Sequence, residues 1–453
     1  MKPRGSSITI LGVGITSIMV ALKLVDTNYK ISVYTMGPDP RLDRDAEQYG
    51  ATGNGRSARF VTGFEAKPHL FDTSILPDTF DELCTHVRDG GWLARPHSEF
   101  SENDQQWLKK RREASKNEAH IGDLHENYYV KHSKESIAEW LALRKAKPFL
   151  FKDTRITNTD EGVLVLCSSE RLLRVNVEKY EQYGFLKQFL SGDAVAKRFP
   201  VYAQAYKDGN IAGGILVEGF AFNIHQFIEN VLSYLESQGV VFFWNEEITK
   251  IELDEDKHVV GLRTKNNRLV TSEYYSINPG AYGNEILKNT PAKDKVCGVA
   301  GRWLVMPRPK DFTIPTKVLT DNRLGLSIGD NNLTPFTENG QEMLAVSGGC
   351  VYTGSDHNNT PPPDVCKLVD TENERIVQLY MGPSYSELKK KNAITSWTNT
   401  CLRSFTYDDQ PVHETMETAQ HGLLTITAGT NTGTTALAPY LATWTAEVLT
   451  RKN

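Results

Sequence analysis

Two short stretches carry residue types and spacings suited to holding an anion. The first is Gly12-Val13-Gly14-Ile15-Thr16-Ser17, a G-x-G-x-x-S run. Glycine at its first place permits a tight turn, and glycine at the second lets a phosphate approach the backbone. The amides at the start of a following helix then face that phosphate. The third place commonly holds glycine so that helix and strand pack closely, and Ser17 is a small replacement that weakens the match. The second stretch, Gly429-Thr430-Asn431-Thr432-Gly433-Thr434, repeats the device near the carboxyl end. There a strand, a glycine-rich turn and a helix follow one another, and the helix start near Gly433-Thr434 carries positive partial charge. Metal chemistry has no comparable signal. The six cysteines are scattered without a C-x-x-C pair, and His132, His225, His413 and His421 show no ligand spacing.

The flanking elements must place these turns. Ile8-Thr9-Ile10-Leu11 reads as a strand, Ile18 to Leu24 as helix and Ile31-Ser32-Val33-Tyr34 as a second strand. This is a βαβ unit in the order a dinucleotide fingerprint requires, with a ligand-free crossover as the competing reading. The apolar run is not read as a spanning helix, because Lys23 lies within it and Asp26 follows. It is not read as an export signal either, because no small-residue cleavage site follows. Residues 223–239 have helical apolar spacing ending at Gly239. Residues 239–287 read as alternating strands with turns at 254–258 and 265–268, ending at Asn278-Pro279-Gly280.

One residue departs from the fingerprint. The acid that normally closes the second strand and holds a ribose is Thr35 here. Asp39 or Asp43 could reach in from the following loop. Loss of the acid also removes repulsion toward a 2′-phosphate, and Arg41 and Arg44 are near, so NADP stays open as an alternative. The chain as a whole has 453 residues, 39% hydrophobic and 24% charged, with net charge −5. These values describe a soluble globular protein of about two domains with no nucleic-acid footprint, expected in the cytoplasm with its cysteines reduced.

The order of these blocks resembles the FAD-dependent D-amino acid oxidase superfamily, most closely its D-amino acid dehydrogenase and glycine oxidase branches. The resemblance rests on the 12–17 turn and on GVLVLCSSERLL (162–173), GGILVEGFAFNIHQF (213–227), INPGAYGNEIL (277–287), GVAGRWLVMP (298–307), RSFTYDDQPV (403–412) and AGTNTGTTALAP (428–439). It implies an α/β fold in which a Rossmann-like FAD-binding domain interleaves with a substrate domain built on a large mixed or antiparallel sheet. The implied segments are 1–88, 213–295 and 401–453 for FAD, and 89–212 and 296–400 for substrate.

The resemblance also implies roles. Gly12, Gly14, Ile15, Ser17, Thr35 and Gly280 would contact FAD. The amides of Gly429, Asn431, Thr432, Gly433 and Thr434 would face the flavin N1/C2=O edge. Gly53, Asn54 and Gly55, in GATGNGRSARFVTGFE (50–65), would lie along the ring, with Arg59 a further candidate and Arg56 read as solvated. Arg403 would pair with a substrate carboxylate. The family's T-P-D-G-x-P-x-x-G is Thr406-Tyr407-Asp408-Asp409-Gln410-Pro411-Val412-His413-Glu414 here, without either glycine. The implied activity is dehydrogenation of a C–N bond in an amino acid or amine, with hydride passing to flavin N5 and an unspecified electron acceptor. Other flavin chemistry on a hydroxy acid or natural-product intermediate, and a non-catalytic relative without FAD, are the alternatives. Residues 88–160 fit least and read as a helical insertion over the substrate domain, whose Lys109-Lys110-Arg111-Arg112 run is read as a solvated face rather than a membrane or binding patch.

Overall fold

The computed structural model describes residues 5–43, 60–63, 65, 99–154, 161–320, 331–338, 340–356, 360–396 and 401–451. The opening βαβ unit forms as its pattern predicts. The strand Ser7–Leu11 and the strand Lys30–Tyr34 flank the helix Ile15–Leu24, whose residues are largely buried. The two strands pair in parallel and end together, Leu11 opposite Tyr34. They belong to a six-stranded sheet in the order Val412–Glu417, Leu423–Ala428, Tyr274–Ile277, Ser7–Leu11, Lys30–Tyr34, Val241–Phe243. All neighbours in it are parallel except the antiparallel edge strand Val412–Glu417. The opening strand is central and the chain leaves it toward both sides. In an open parallel sheet, that reversal puts a ligand crevice at the strands' carboxyl ends.

A second, nine-stranded mixed sheet runs Thr395–Ser396, Val296–Pro307, Gln341–Gly354, Asn331–Glu338, Thr316–Leu319, Val163–Cys167, Gly213–Val217, Leu186–Ser191, with Cys401–Thr406 also paired to Val296–Pro307. The chain alternates between the two sheets, as an interleaved architecture requires. Two crossings fall a few residues later than the sequence suggests. Gly213–Val217 pairs with Val163–Cys167, and Cys401–Thr406 pairs with Val296–Pro307, so both strands lie in the large sheet. We place the crossings after 217 and 406.

Residues 102–146 are helical, as expected, but they bridge both sheets instead of covering one. The helix Glu102–Ser115 starts at Ser101, whose hydroxyl accepts from the Asp104 amide at 3.2 Å. Its Trp107 stacks on Tyr352 of the large sheet, with ring centroids 5.4 Å apart. A π-helical segment, Leu124–Val130, leads into the helix Lys131–Ala146, which packs along the carboxyl-terminal helix Thr434–Thr450. Trp140 is fully buried there, donating its indole N–H to the Thr435 carbonyl at 3.1 Å. Among the described residues no helix is long and apolar enough to cross a membrane. The cysteines at 167, 297, 350, 366 and 401 are free thiols.

The same junction traps a histidine. His413 Nε2 and the Tyr128 hydroxyl are hydrogen-bonded at 2.5 Å, and His132 stacks on Tyr440 with centroids 3.6 Å apart. Burial, with a smaller contribution from the charge of His132, pushes the His413 imidazole down from 6.5 to about 4. A depressed folded-state pKa means the unfolded chain binds the proton first. Stability due to neutral His413 is therefore complete above pH 6.5 and drains as pH falls toward 4, by about 3 kcal/mol. His132 is also lowered, chiefly by burial, and acts in the same direction. Urea denaturation across this window should show stability falling with acid, and His413→Gln should flatten the slope. A variant with the wild-type slope would contradict this assignment.

Candidate functional site

The strand ends converge on one crevice. Gly12 turns the chain at φ +83°, and its amide donates to the Tyr34 carbonyl at 2.7 Å. Gly14 caps the helix Ile15–Leu24 without a side-chain hydrogen bond. The first-turn N–H groups of a helix have no acceptor within it, so these amides are presented to whatever lies above Gly14. Among the described residues, a β-carbon added at Gly14 would meet no atom within 4 Å, and the same holds at Gly280, where φ is +59°. The two glycines thus border open space, which is the cradle a pyrophosphate needs. Ser17 fits the third position well: it is buried, and its hydroxyl donates to the Leu11 carbonyl at 2.7 Å, fastening helix to strand.

The ribose side differs from the fingerprint in a defined way. Thr35 is buried after the strand Lys30–Tyr34, and its hydroxyl accepts weakly from the Gly37 amide at 3.4 Å. Asp39 does not turn toward the crevice. It is clasped by Arg41, whose Nε and Nη2 donate to it at 2.9 Å and 2.6 Å. Burial would raise the Asp39 pKa, but the side-chain and backbone hydrogen bonds of Arg41 hold it below its ordinary value. Arg41 also pairs with Glu236 at 2.6 Å. With two carboxylates already on this guanidinium, it offers no clamp for a 2′-phosphate, and the NADP alternative loses its support at Arg41.

At the carboxyl end, the helix Thr434–Thr450 starts at Gly433 with no side-chain cap. Its first turn, beginning at Thr434, provides the positive end that the sequence suggests. The amides of the turn itself are another matter. Gly429 N–H donates to Ser404 Oγ at 3.0 Å, Asn431 N–H to the Ser404 carbonyl at 2.9 Å, and Gly433 N–H to the Thr430 carbonyl at 3.1 Å. The expectation that these three amides face a flavin is therefore corrected: those of Gly429 and Asn431 stitch the turn to the strand Cys401–Thr406, with Thr430 bridging Phe405, and that of Gly433 closes the turn on itself. Gly429 must be glycine, since φ is +72° and a β-carbon would fall 2.4 Å from Thr406 Cγ2. Asn431 is buried with φ +53°, and its Nδ2 donates to Asp409 Oδ1 at 3.0 Å. The Thr432 hydroxyl donates to the Glu65 carbonyl at 3.0 Å.

Arg403 sits on the strand stitched to that turn. Its Nη1 donates to the Gly349 carbonyl at 2.9 Å and approaches Cys350 Sγ at 3.7 Å. A β-carbon at Gly301 would stand 2.1 Å from Nη2, so the guanidinium crosses the neighbouring strand over Gly301 and would have to move if that residue gained a side chain. Among the described residues no carboxylate pairs with Arg403, which is half-buried. A permanently charged fork so placed is suited to an incoming carboxylate. Gly53, Asn54, Gly55, Arg56 and Arg59 lie outside the described residues.

Two charged pairs escaped the sequence reading. Lys317 meets Glu65 at 2.8 Å with both side chains almost fully buried, next to the turn that Thr432 anchors. Glu65 closes the glycine-rich stretch 50–65, which was a usable signal; nothing in the sequence marked Lys317. Arg111 overturns the reading of 109–112 as a wholly solvated face. It is fully buried and paired with the equally buried Asp409 at 3.0 Å. Helical spacing explains the miss: Asp104, Trp107 and Arg111 point to the sheet while Lys109 and Lys110 face solvent.

A sequence profile described as FAD dependent oxidoreductase matches residues 7–448. Among solved structures, glycine oxidase from Geobacillus kaustophilus superposes with TM-score 0.64 at 15% identity, covering 99% of this chain and 96% of that one. L-proline dehydrogenase from P. horikoshii gives 0.60 at 14%, covering 99% and 94%. A modified fructosyl peptide oxidase from Aspergillus nidulans gives 0.62 at 14%, covering 99% and 91%. These likenesses show the fold, and a comparison with curated protein sequences returns no match. The open cradle above Gly14 and Gly280 suits FAD, and by the extent of the profile match the chain belongs to the FAD-dependent oxidoreductase family.

Proposed function

We propose that this flavoprotein dehydrogenates a C–N bond of an amino acid or related amine. The observation that carries the reading is Arg403, a half-buried guanidinium without a carboxylate partner among the described residues, one residue from the Ser404 that anchors the flavin turn. The solved structures named above are titled for glycine, L-proline and fructosyl peptide, substrates that carry both an amine and a carboxylate.

Each group has a task in this reading. Gly12, Gly14, Ile15 and Ser17 present the first turn of their helix to the FAD pyrophosphate. Thr35 offers the ribose one hydroxyl in place of a carboxylate, and Gly280 leaves room beside it. The helix starting at Thr434 would offer its positive end to the flavin, where negative charge gathers on reduction. Bound FAD supplies a two-electron acceptor. Arg403 holds the substrate carboxylate and so orients the α-carbon. The α-hydrogen leaves with its electron pair, the lone pair of the neutral amine closes the C=N bond, and water then hydrolyses the imine.

Anaerobic mixing with glycine, sarcosine and both enantiomers of common amino acids should bleach the flavin. Arg403→Ala should raise KM for carboxylate substrates about 10- to 100-fold, the loss of roughly 1.5–3 kcal/mol of charged hydrogen bonding, and spare neutral amines. An unchanged KM would remove Arg403 from this role. Reduction by 2-hydroxy acids but by no amine would replace the C–N reading with C–O oxidation. The cradle can be tested separately. Among the described residues nothing crowds a β-carbon at Gly14, and Gly14→Asp supplies a helix cap, so the apoprotein should keep its stability. FAD affinity should nevertheless fall at least about tenfold from repulsion of the pyrophosphate. Undiminished affinity would move the phosphate elsewhere.

A further inference from the structure

We infer that Arg111 is a positioning residue for the flavin turn, its guanidinium fixing the Gly429–Gly433 backbone through Asp409 and Asn431. The inference rests on the placement of FAD against that turn. Asp409 stands where the family pattern has glycine, and it adopts the left-handed conformation glycine would take, with φ +57°. A non-glycine residue there carries a conformational cost, and a buried carboxylate adds desolvation. Both are compensated by one partner reaching over from the helix Glu102–Ser115.

The contacts form a closed chain. Arg111 Nη1 donates to Asp409 Oδ1 at 3.0 Å and to the Thr406 carbonyl at 3.0 Å, and Nη2 donates to Asp409 Oδ2 at 3.4 Å. The guanidinium lies between the rings of Trp107 and Phe405, at 5.7 Å and 5.5 Å from their centroids. The same Asp409 Oδ1 accepts Asn431 Nδ2 at 3.0 Å. Tyr129, from the π-helical segment, donates its hydroxyl to the Asp409 carbonyl at 2.6 Å, and Asn431 Nδ2 also reaches that hydroxyl at 3.3 Å. Asn431 is itself left-handed, in the middle of the turn. Its side chain thus faces into the protein and is held by a charged pair with no exposure to solvent. A hydrogen bond to a fixed, desolvated carboxylate orients its donor more firmly than one to a mobile partner. The turn's conformation therefore depends on a residue of the helical insertion, remote in sequence from both glycine turns.

Charge makes the role separable from simple bracing. Removing Arg111 alone leaves the Asp409 carboxylate buried and unbalanced beside the edge where reduction gathers negative charge. The test uses apoprotein titrated with FAD by fluorescence, together with the flavin midpoint potential of each reloaded protein, at a temperature where circular dichroism shows every variant folded. Arg111→Met should raise the FAD dissociation constant about tenfold and lower the midpoint potential. Arg111→Lys, which keeps the charge but not the fork, should retain the potential with a smaller loss of affinity. If Arg111→Met does not fold, the charge-balanced double variant Arg111→Met/Asp409→Asn carries the test. A raised dissociation constant there supports the proposal, and a wild-type value overturns it. Arg111→Met with wild-type affinity and potential overturns the proposal while leaving FAD at the turn. Wild-type protein that takes up no FAD overturns the placement of FAD, and the proposal with it.

Discussion

The parallel register of four strands is the constraint on which the rest depends. Leu11 pairs with Tyr34 on one side and Ile277 on the other, and Ile277 pairs in turn with Ile426. Four segments from the start, middle and end of the chain therefore stop at one edge. Beyond these stops lie the turn at Gly12, the buried Thr35, the open Gly280 and the turn at Gly429. Hydrogen bonds across the sheet fix the strands to each other far more firmly than any loop could, so the turns inherit their positions from the strands. The Ser17 hydroxyl on the Leu11 carbonyl extends the same rigidity to the first helix, whose uncapped start then aims at a fixed point. Substituting the third glycine of the fingerprint thus trades close packing alone for close packing with a hydrogen bond.

One strand links the two sheets directly through backbone hydrogen bonds. Cys401–Thr406 is paired with the large sheet on one side, and on the other it receives the turn 429–431. Side chains alternate across a strand, so Ser404 can fasten the turn while its neighbour Arg403 lies over Gly301 on the other face. One peptide link separates Ser404, which anchors the 429–433 turn, from Arg403, proposed above as the carboxylate clamp. The helical layer 102–146 braces the same junction, through Arg111 and Tyr129 on the 406–409 loop and through Trp140 on the carboxyl-terminal helix.

The parts legible in the sequence were those governed by local chemistry. Glycine spacing, β-branched runs and helical periodicity identified both strand-turn-helix devices, because each is encoded within some twenty residues. The direction in which Asn431 points was not legible. The turn's composition allows its amides to face outward; the approach of Ser404 from another strand turns two of them inward, and a third closes on Thr430 within the turn. Arg111 was hidden for a different reason. A run of four cations reads as solvated until a helix places one of them on the inner face, and its partner Asp409 lies in a loop far away in sequence. Asp39 and Arg41 were visible as charges, but their mutual clasp, and the addition of Glu236, required the fold to bring the helix Ile224–Ser237 beside them.

The central claim is that the aligned strand ends hold FAD. The most direct measurement is the near-ultraviolet and visible absorbance of the purified protein, followed by heat denaturation and analysis of the supernatant. The account predicts twin flavin bands and release of FAD stoichiometric with the chain. A colourless protein that takes up no added FAD would contradict it, and would mean that Thr35 in place of the ribose-binding acid reports a lost cofactor site.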